Sequence, residues 1–444
     1  MMKPWRKRIL FQGLVLSIFF LLSSPAGAEE GLPQKGKPLT LDQCTAMALK
    51  YHPSLRASLA TVEASKAKVE QALANYYPQL NLNNTYNTAT SNYSPSFAST
   101  RTPGGYSWTF EDIFSTGLFL NQNLYDFGRT SNTVTLNRQN AKASAEDLIT
   151  ARQTVVLNVK QAYFNVLQTL RLIQVAEETV SQSKQHLEQA RGFYQAGTRP
   201  KIDVTKAEVD LANAELGLIR TKNNYQVARV ILNNAMGLRE GLTFPIEDSL
   251  SVQPYTITLE EILKASFDQR PEILQLQAKQ RSQEATIKLA QSSYYPILSG
   301  NASYQFRSTD FDRFYWDWSF GATLSIPLFS GFSSPSQVAE ARANLRNLQA
   351  QEENLKLNIR LEAEQAYLSL READERLRVT EKSLAHAQEN FELATGRYQV
   401  GVGFPLEVTD AEVSLATARA NNIQALYDYK VSEAKIERAM GLIR

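Results

Sequence analysis

The sequence predicts a mainly α-helical chain with a small set of membrane-type β-strands, built from one unit written twice. Three observations predict it. Segments recur along the chain at fixed offsets, some stretches alternate apolar and polar residues, and much longer ones repeat apolar residues every seven positions. The recurrence is clearest where "FYQAGTRPKIDVTKAEV" (193–209) returns as "RYQVGVGFPLEVTDAEV" (397–413), with eight of seventeen positions identical at an offset of 204. "LTLDQ" returns as "ITLEE", "HPSL" as "RPEI" and "YYPQL" as "YYPIL", all at an offset of 218. The offset falls by fourteen between Leu80 and Leu124, so the first copy holds that many extra residues there. The intervening "NTATSNYSPSFASTRTPGG" reads as a long surface loop.

The first element is a leader. Basic "MMKPWRKR" runs into the apolar stretch Ile9 to Leu22 and then "SSPAGA", which fits a secretory signal at 1–28. Its removal takes away Lys3, Arg6, Lys7 and Arg8 and no acidic residue, so the formal charge of +2 becomes −2. A chain of that charge is not built for nucleic acid. The sole cysteine, Cys44, sits too far past the cleavage point to be an acylated first residue and has no partner for an internal disulfide. An extension at 29–38 precedes the first repeat (39–238), and a linker at 239–256 joins it to the second (257–442).

Each repeat opens on a capping box, Thr40 with Gln43 and Thr258 with Glu261. Short helices follow, broken near Pro53 and Pro271 and stopped at Pro78 and Pro296. Past Pro296 the period becomes two: Leu298, Ala302, Tyr304 and Phe306, then Trp316, Trp318, Phe320, Leu324 and Ile326, alternate with small or polar residues. These two strands form a hairpin within 294–331, and a fainter pair lies within 76–128. Export, aromatic residues at strand ends and a polar opposite row place the apolar row, Trp316 to Ile326, against lipid. Four strands cannot close a barrel, and an open edge in lipid strands its amides, so a spanning sheet requires several chains.

Heptads then take over. After Val159, the residues Val166, Ile173, Val180 and Leu187 are matched in the second copy by Leu370, Leu377, Leu384 and Phe391, each beside a seam of small residues. Such patterns specify supercoiled helices, the first about 95 Å long from Ser131 to Tyr194 at 1.5 Å per residue. The duplicated "YQ-x-G" stretch is the reversal between antiparallel helices, with Gly197 and Gly401 suited to a left-handed helix end and Pro200 and Pro405 near the next start. A catalytic constellation does not emerge. His52, His186 and His386 do not repeat in register, and no phosphate loop or zinc spacing is present. Neither a cofactor nor a metal is expected.

With duplicated Tyr194-Gly197-Asp203-Val204 and Tyr398-Gly401-Glu407-Val408 tips, the "YYP" elements and the closing "AMGL", the chain resembles the TolC family of trimeric outer-membrane efflux and secretion channels. The resemblance implies a homotrimer in the cell outer membrane, with four strands per protomer in a shared twelve-stranded barrel and the helices in a long periplasmic α-barrel. It implies a passive exit duct of a tripartite efflux pump or type I secretion system, partnered by a periplasmic adaptor (membrane fusion) protein and an inner-membrane transporter. A periplasmic coiled-coil adaptor or rod is the alternative, but it leaves Trp316, Trp318 and Phe320 without a partner. By motif position Tyr398, Glu407 and Asp410 match the family's gating tyrosine and two acidic residues, and Asp203 matches the first-copy acid. Where the family has an arginine after the second-copy glycine this chain has Gly403, and Arg199 holds the equivalent place in the first copy. The expectation is a periplasmic lock in which Arg199 bonds an acidic residue of a neighbouring hairpin, with Tyr398 as its hydrogen-bonding companion. The turns Gly197, Thr198, Pro200, Gly401, Val402 and Gly403, as the breaks in the helical wall, are the expected adaptor landing site.

Overall fold

The computed structural model describes residues 38–92, 108–238, 245–248, 256–309 and 313–443, with the side chains of 89–92 and 108–111 outside it. The leader at 1–28 and most of the extension and linker lie outside the described residues. The first repeat runs α1 (Leu41–Tyr51), α2 (Pro53–Leu73), β1 (Gln79–Asn92), β2 (Trp108–Tyr125), α3 (Arg129–Gln195) and α4 (Lys201–Ala235). The second runs α5 (Leu259–Gln269), α6 (Pro271–Gln291), β3 (Ile297–Ser308), β4 (Tyr315–Ser325), α7 (Ser333–Gln399) and α8 (Pro405–Ala439). Matching helices have equal lengths, 11, 21, 67 and 35 residues in both copies. Among the described residues no helix is long and apolar enough to cross a membrane.

Both capping boxes close. The Thr40 and Thr258 hydroxyls accept from the amides of Gln43 and Glu261, whose side chains accept in return from the threonine amides. Proline begins α2 and α6, where its missing N–H is no loss. Helices α4 and α8 end on Gly237 and Gly441, both left-handed at φ +73° and +74°. Gly237 lies directly on the α1–α2 junction: a Cβ there would come within 2.6 Å of the His52 Cα, so this helix end packs backbone to backbone.

The four strands make one antiparallel sheet in the order β1-β2-β3-β4. The first hairpin has strands of 14 and 18 residues against 12 and 11 in the second. Residues 87–92 therefore correct the loop reading, because they extend β1 instead. Ladder bonds use only backbone groups, so a polar strand end reaching beyond a core keeps its pairing whatever its composition.

The long helices pack in the order α4, α3, α8, α7 toward the turns, while α2 and α6 take the places beside α3 and α7 nearer the sheet. The seams of small and large residues are buried as the heptads require: Val159, Val166 and Ala190 in α3, Ala366, Leu370 and Ala373 in α7, Leu415, Ala425 and Ile436 in α8. Matching positions are not always equally buried. Tyr398 is 1% exposed whereas Tyr194, its equivalent in the first copy, is 46% exposed.

Candidate functional site

Both turns end their helices in the same way. Gly197 and Gly401 are left-handed at φ +72° and +79°, and their amides donate to the carbonyls of Tyr194 and Tyr398. The next amides, Thr198 and Val402, donate to the carbonyls of Phe193 and Arg397 at 3.0 Å, which completes a Schellman motif at each tip. Pro200 caps α4, and Pro405 is the first residue of α8. Val400, Val402 and Phe404 are exposed around the second turn, so the tip presents an apolar surface.

Arg199 reaches the neighbouring hairpin, but its partner within the protomer is not a carboxylate. Its Nη2 donates to the carbonyl oxygen of Gly403 at 3.0 Å. Position 403 is also tight: a side chain there would place its Cβ 2.9 Å from the Tyr398 amide nitrogen, a place that suits glycine. Glu407 instead faces Arg397, a cation of the same tip stretch, at 3.8 Å. Asp203 stands half-buried in the first turn of α4, while Asp410 is exposed and forms no ion pair among the described residues.

Tyr398 does not serve as a hydrogen-bonding companion in this protomer. Its ring is wedged between His186 and Phe193 of α3, at 5.4 and 5.5 Å between centroids, and its hydroxyl has no partner among the described residues. Burial, with the charge of Asp203 adding to it and Arg199 opposing, raises the phenol above its usual range.

Above the tips, α3 and α8 share a polar ladder. Lys160 meets Glu437, Gln168 meets Gln424, Glu178 meets Arg419, and the Ser183 hydroxyl donates to Glu412 Oε1 at 2.7 Å. Glu412 and His186 are both buried, and the Nε2 of His186 has no partner among the described residues. Burial raises the Glu412 carboxyl and Asp210 adds to the rise, while the Ser183 hydroxyl opposes it. Burial lowers the His186 imidazole, opposed by Asp210 and Asp203 and aided by Lys206. The two groups act with opposite sign: His186 supports the packed seam above its ordinary value near 6.5 and withdraws support as pH falls, whereas Glu412 supports it fully below 4.5 and withdraws as pH rises. Glu412→Gln is therefore expected to raise the melting temperature at pH 7 and to leave only the acid-side loss due to His186. A melting curve that loses stability at neutral pH would show that the carboxylate is needed in its ionised form.

At the opposite end of the molecule the sheet presents two unlike faces. The register brings Leu82, Leu118, Tyr304 and Trp318 into one row, with Leu80, Leu120, Ala302 and Phe320 beside it. Apolar residues thus run across all four strands on one side, and Phe320, Trp318, Trp316 and Leu324 are exposed. Ile326, placed on the strand by its alternation, lies one residue beyond the end of β4. The other side carries Asn83, Gly117, Gln305 and Asp317, with Asn81, Phe119, Ser303 and Ser319 in the next row. Exposed Tyr77, Tyr125, Tyr295 and Phe329 gather at the helix junction, and Trp316 and Tyr315 mark the other end. A strand of 12 residues, tilted about 45°, spans about 28 Å, close to an outer-membrane apolar band.

The family model described as outer membrane efflux protein matches residues 45–238 and 262–442, one match per repeat. The cation efflux system protein CusC of Escherichia coli K12 is 26% identical over 423 residues, covering 89% of this chain and 84% of its own. The outer membrane protein TolC of the same strain is 22% identical over 410 residues, covering 88% and 80%. A solved membrane protein from Pseudomonas aeruginosa superposes with a TM-score of 0.78 at 23% identity over 90% of both chains. The outer membrane protein VceC of Vibrio cholerae does so with a TM-score of 0.75 at 19% identity over 90% of this chain and 96% of that one. With both repeats matched and a two-faced sheet joined to long antiparallel helices, the chain belongs to the outer membrane efflux protein family and is an outer-membrane efflux channel of TolC type.

Proposed function

We propose that three copies close into one passive duct, with four strands from each forming a twelve-stranded barrel and the long helices forming a periplasmic tunnel that receives cargo from an inner-membrane transporter through an adaptor. One observation carries this reading: the sheet is apolar on one face across all four strands, yet β1 and β4 are open edges. An open edge in lipid leaves each amide unpaired at several kcal/mol, so lipid exposure of that face requires the edges to pair with other copies. Helices α4 and α7, at the outer edges of the helical layer, also leave Ile219, Val230, Leu368 and Leu393 exposed. Fractionation tests the reading: a heat-modifiable oligomer in the outer membrane is expected, and a soluble periplasmic rod refutes it.

The tips serve two purposes in this proposal. Their apolar rim around Gly401, with Val402 and Phe404, is the landing surface for the adaptor, alongside the equivalent turn Gly197, Thr198 and Pro200. The bond from Arg199 to the Gly403 carbonyl, with Asp203, Tyr398, Glu407 and Asp410 on the same two hairpin tips, holds the mouth shut. A bond of about 1 kcal/mol repeated in three copies amounts to about 3 kcal/mol when the copies open together. Arg199→Ala is expected to raise single-channel conductance in planar bilayers and to leave assembly unchanged. Conductance equal to that of the unmodified channel would assign closure to another contact.

A further inference from the structure

The chain already contains one contact between its first repeat and its second, in which β2 pairs with β3 and α3 packs on α8. Because the repeats share registers, this contact dictates what the reverse one, from second repeat to first, would look like. Strand β4 matches β2 at an offset of 204 and β1 matches β3 at an offset of 218. The observed pair Phe119 with Ser303 then translates to Thr323 with Thr85, and Leu118 with Tyr304 translates to Ala322 with Tyr86. Within one chain these residues cannot meet, since β1 and β4 are opposite edges of the sheet.

Three features agree with the translation. The faces match, since Ala322 and Tyr86 both lie on the apolar side and Thr323 and Thr85 both lie on the polar side. Glycine recurs where room is required: a Cβ on Gly117 would come within 2.7 Å of the Gln305 side chain, and the translated position is Gly321, opposite Asn87. Exposure also tracks the missing neighbour. Ile219, Val227 and Val230 of α4 are 65%, 49% and 67% exposed, whereas their equivalents Ile423, Val431 and Ala434 of α8 are 9%, 7% and 2% exposed against α3.

The charges are complementary as well. The pair Glu178 with Arg419 translates to Lys382 of α7 with Glu215 of α4, an ion pair of reversed polarity. The amide pair Gln168 with Gln424 translates to Glu372 with Arg220, again opposite in sign. In the isolated chain Glu372 turns back to Arg376 at 3.4 Å, and Arg220 is exposed. The remaining rungs become Glu364 with Asn233 and Ala387 with Glu208, so the ladder is not copied throughout, but no like charges meet. Tyr194 falls into place too: the packing of Phe193 on Tyr398 translates to Arg397 over Tyr194, which covers the tyrosine left exposed here.

We infer that a second copy of this chain docks on the α7/β4 edge through its α4/β1 edge in this register, with Thr323 beside Thr85 in the sheet and Lys382–Glu215 and Glu372–Arg220 as ion pairs between helices. The inference rests on the closed ring proposed above and adds its register and partner choice. Charge reversal tests the helices in the full-length protein in outer membranes: Glu215→Lys and Lys382→Glu alone are each expected to lower the temperature at which the oligomer dissociates in detergent, and the double reversal to restore it. Thr85→Cys with Thr323→Cys tests the strands, with Cys44 retained because it is buried. A short thiol crosslinker is expected to join chains into a covalent ring in this variant and not in the slipped pair Asn87→Cys with Thr323→Cys. An intact oligomer without rescue, or with crosslinks only in the slipped pair, overturns the register and leaves the ring standing. A monomer in every preparation overturns the ring, and the inference with it.

Discussion

Phe320→Arg is expected to destabilise the membrane-inserted sheet by roughly 2–4 kcal/mol, whereas Thr323→Arg, three positions along the same strand, leaves it folded and changes only conductance. The two residues differ in the face they occupy. Phe320 stands in the row with Leu80, Leu120 and Ala302, and Thr323 pairs with Ser299 on the opposite side. An arginine on the first side must hold its guanidinium in hydrocarbon or draw water in after it, and on the second it projects into a wet lumen. Denaturant titration of the protein refolded into lipid vesicles, with bilayer recording of the second variant, makes the comparison. Equal tolerance at the two positions would mean that the faces are assigned the wrong way round.

A second large effect is expected from Gly237→Ala, which should lose much more stability than Gly197→Ala. Both residues have a left-handed backbone, at φ +73° and +72°, and an L side chain in that conformation costs roughly 1–2 kcal/mol. Around Gly197 there is open space, so the conformational cost is the whole effect. At Gly237 the added methyl would also sit 2.6 Å from the His52 Cα and 3.0 Å from the Pro53 ring, and α4 must back away from the α1–α2 junction. That displacement would spread into the buried cluster of Cys44, Met47, Tyr163 and Met236. Thermal melts of the two variants measure the difference directly, and equal losses would show that the junction gives way freely.

The sequence was most informative where a residue acts through its own backbone or through regular spacing. Thr40 and Thr258 cap because each hydroxyl accepts from the free amide three residues on, and Pro53 and Pro271 sit at first helical positions, where no N–H is needed. The seven-residue spacing named the buried seams of α3 and α7 for the same reason. Position in the assembly was not legible. Tyr194 and Tyr398 hold the same heptad place, and only the fold reveals that Tyr398 packs against His186 and Phe193 of α3 while Tyr194 stays exposed. The contact of Arg199 was legible only in part. The swapped arginine and glycine pointed to Arg199, but its acceptor within the protomer is a carbonyl, and carbonyls belong to every residue and so leave no mark in a sequence. Neither Glu412 nor His186 carried a signal, since each gains its shifted titration from burial between helices that are distant along the chain.

Helix α3 runs unbroken for 67 residues, so about 100 Å separates its tip from the point where it leaves the sheet. Over that distance the helix acts as a lever. A tilt of about 3° at the junction with β2 carries the tip sideways by about 5 Å, roughly one helical pitch, while contacts near the fulcrum barely shift. Mechanical advantage then runs both ways. A small force at the turns, as from a docking protein, exerts a large torque on the junction, and a weak bond such as Arg199 to Gly403 resists far more motion at the end of the lever than the same bond would beside the membrane.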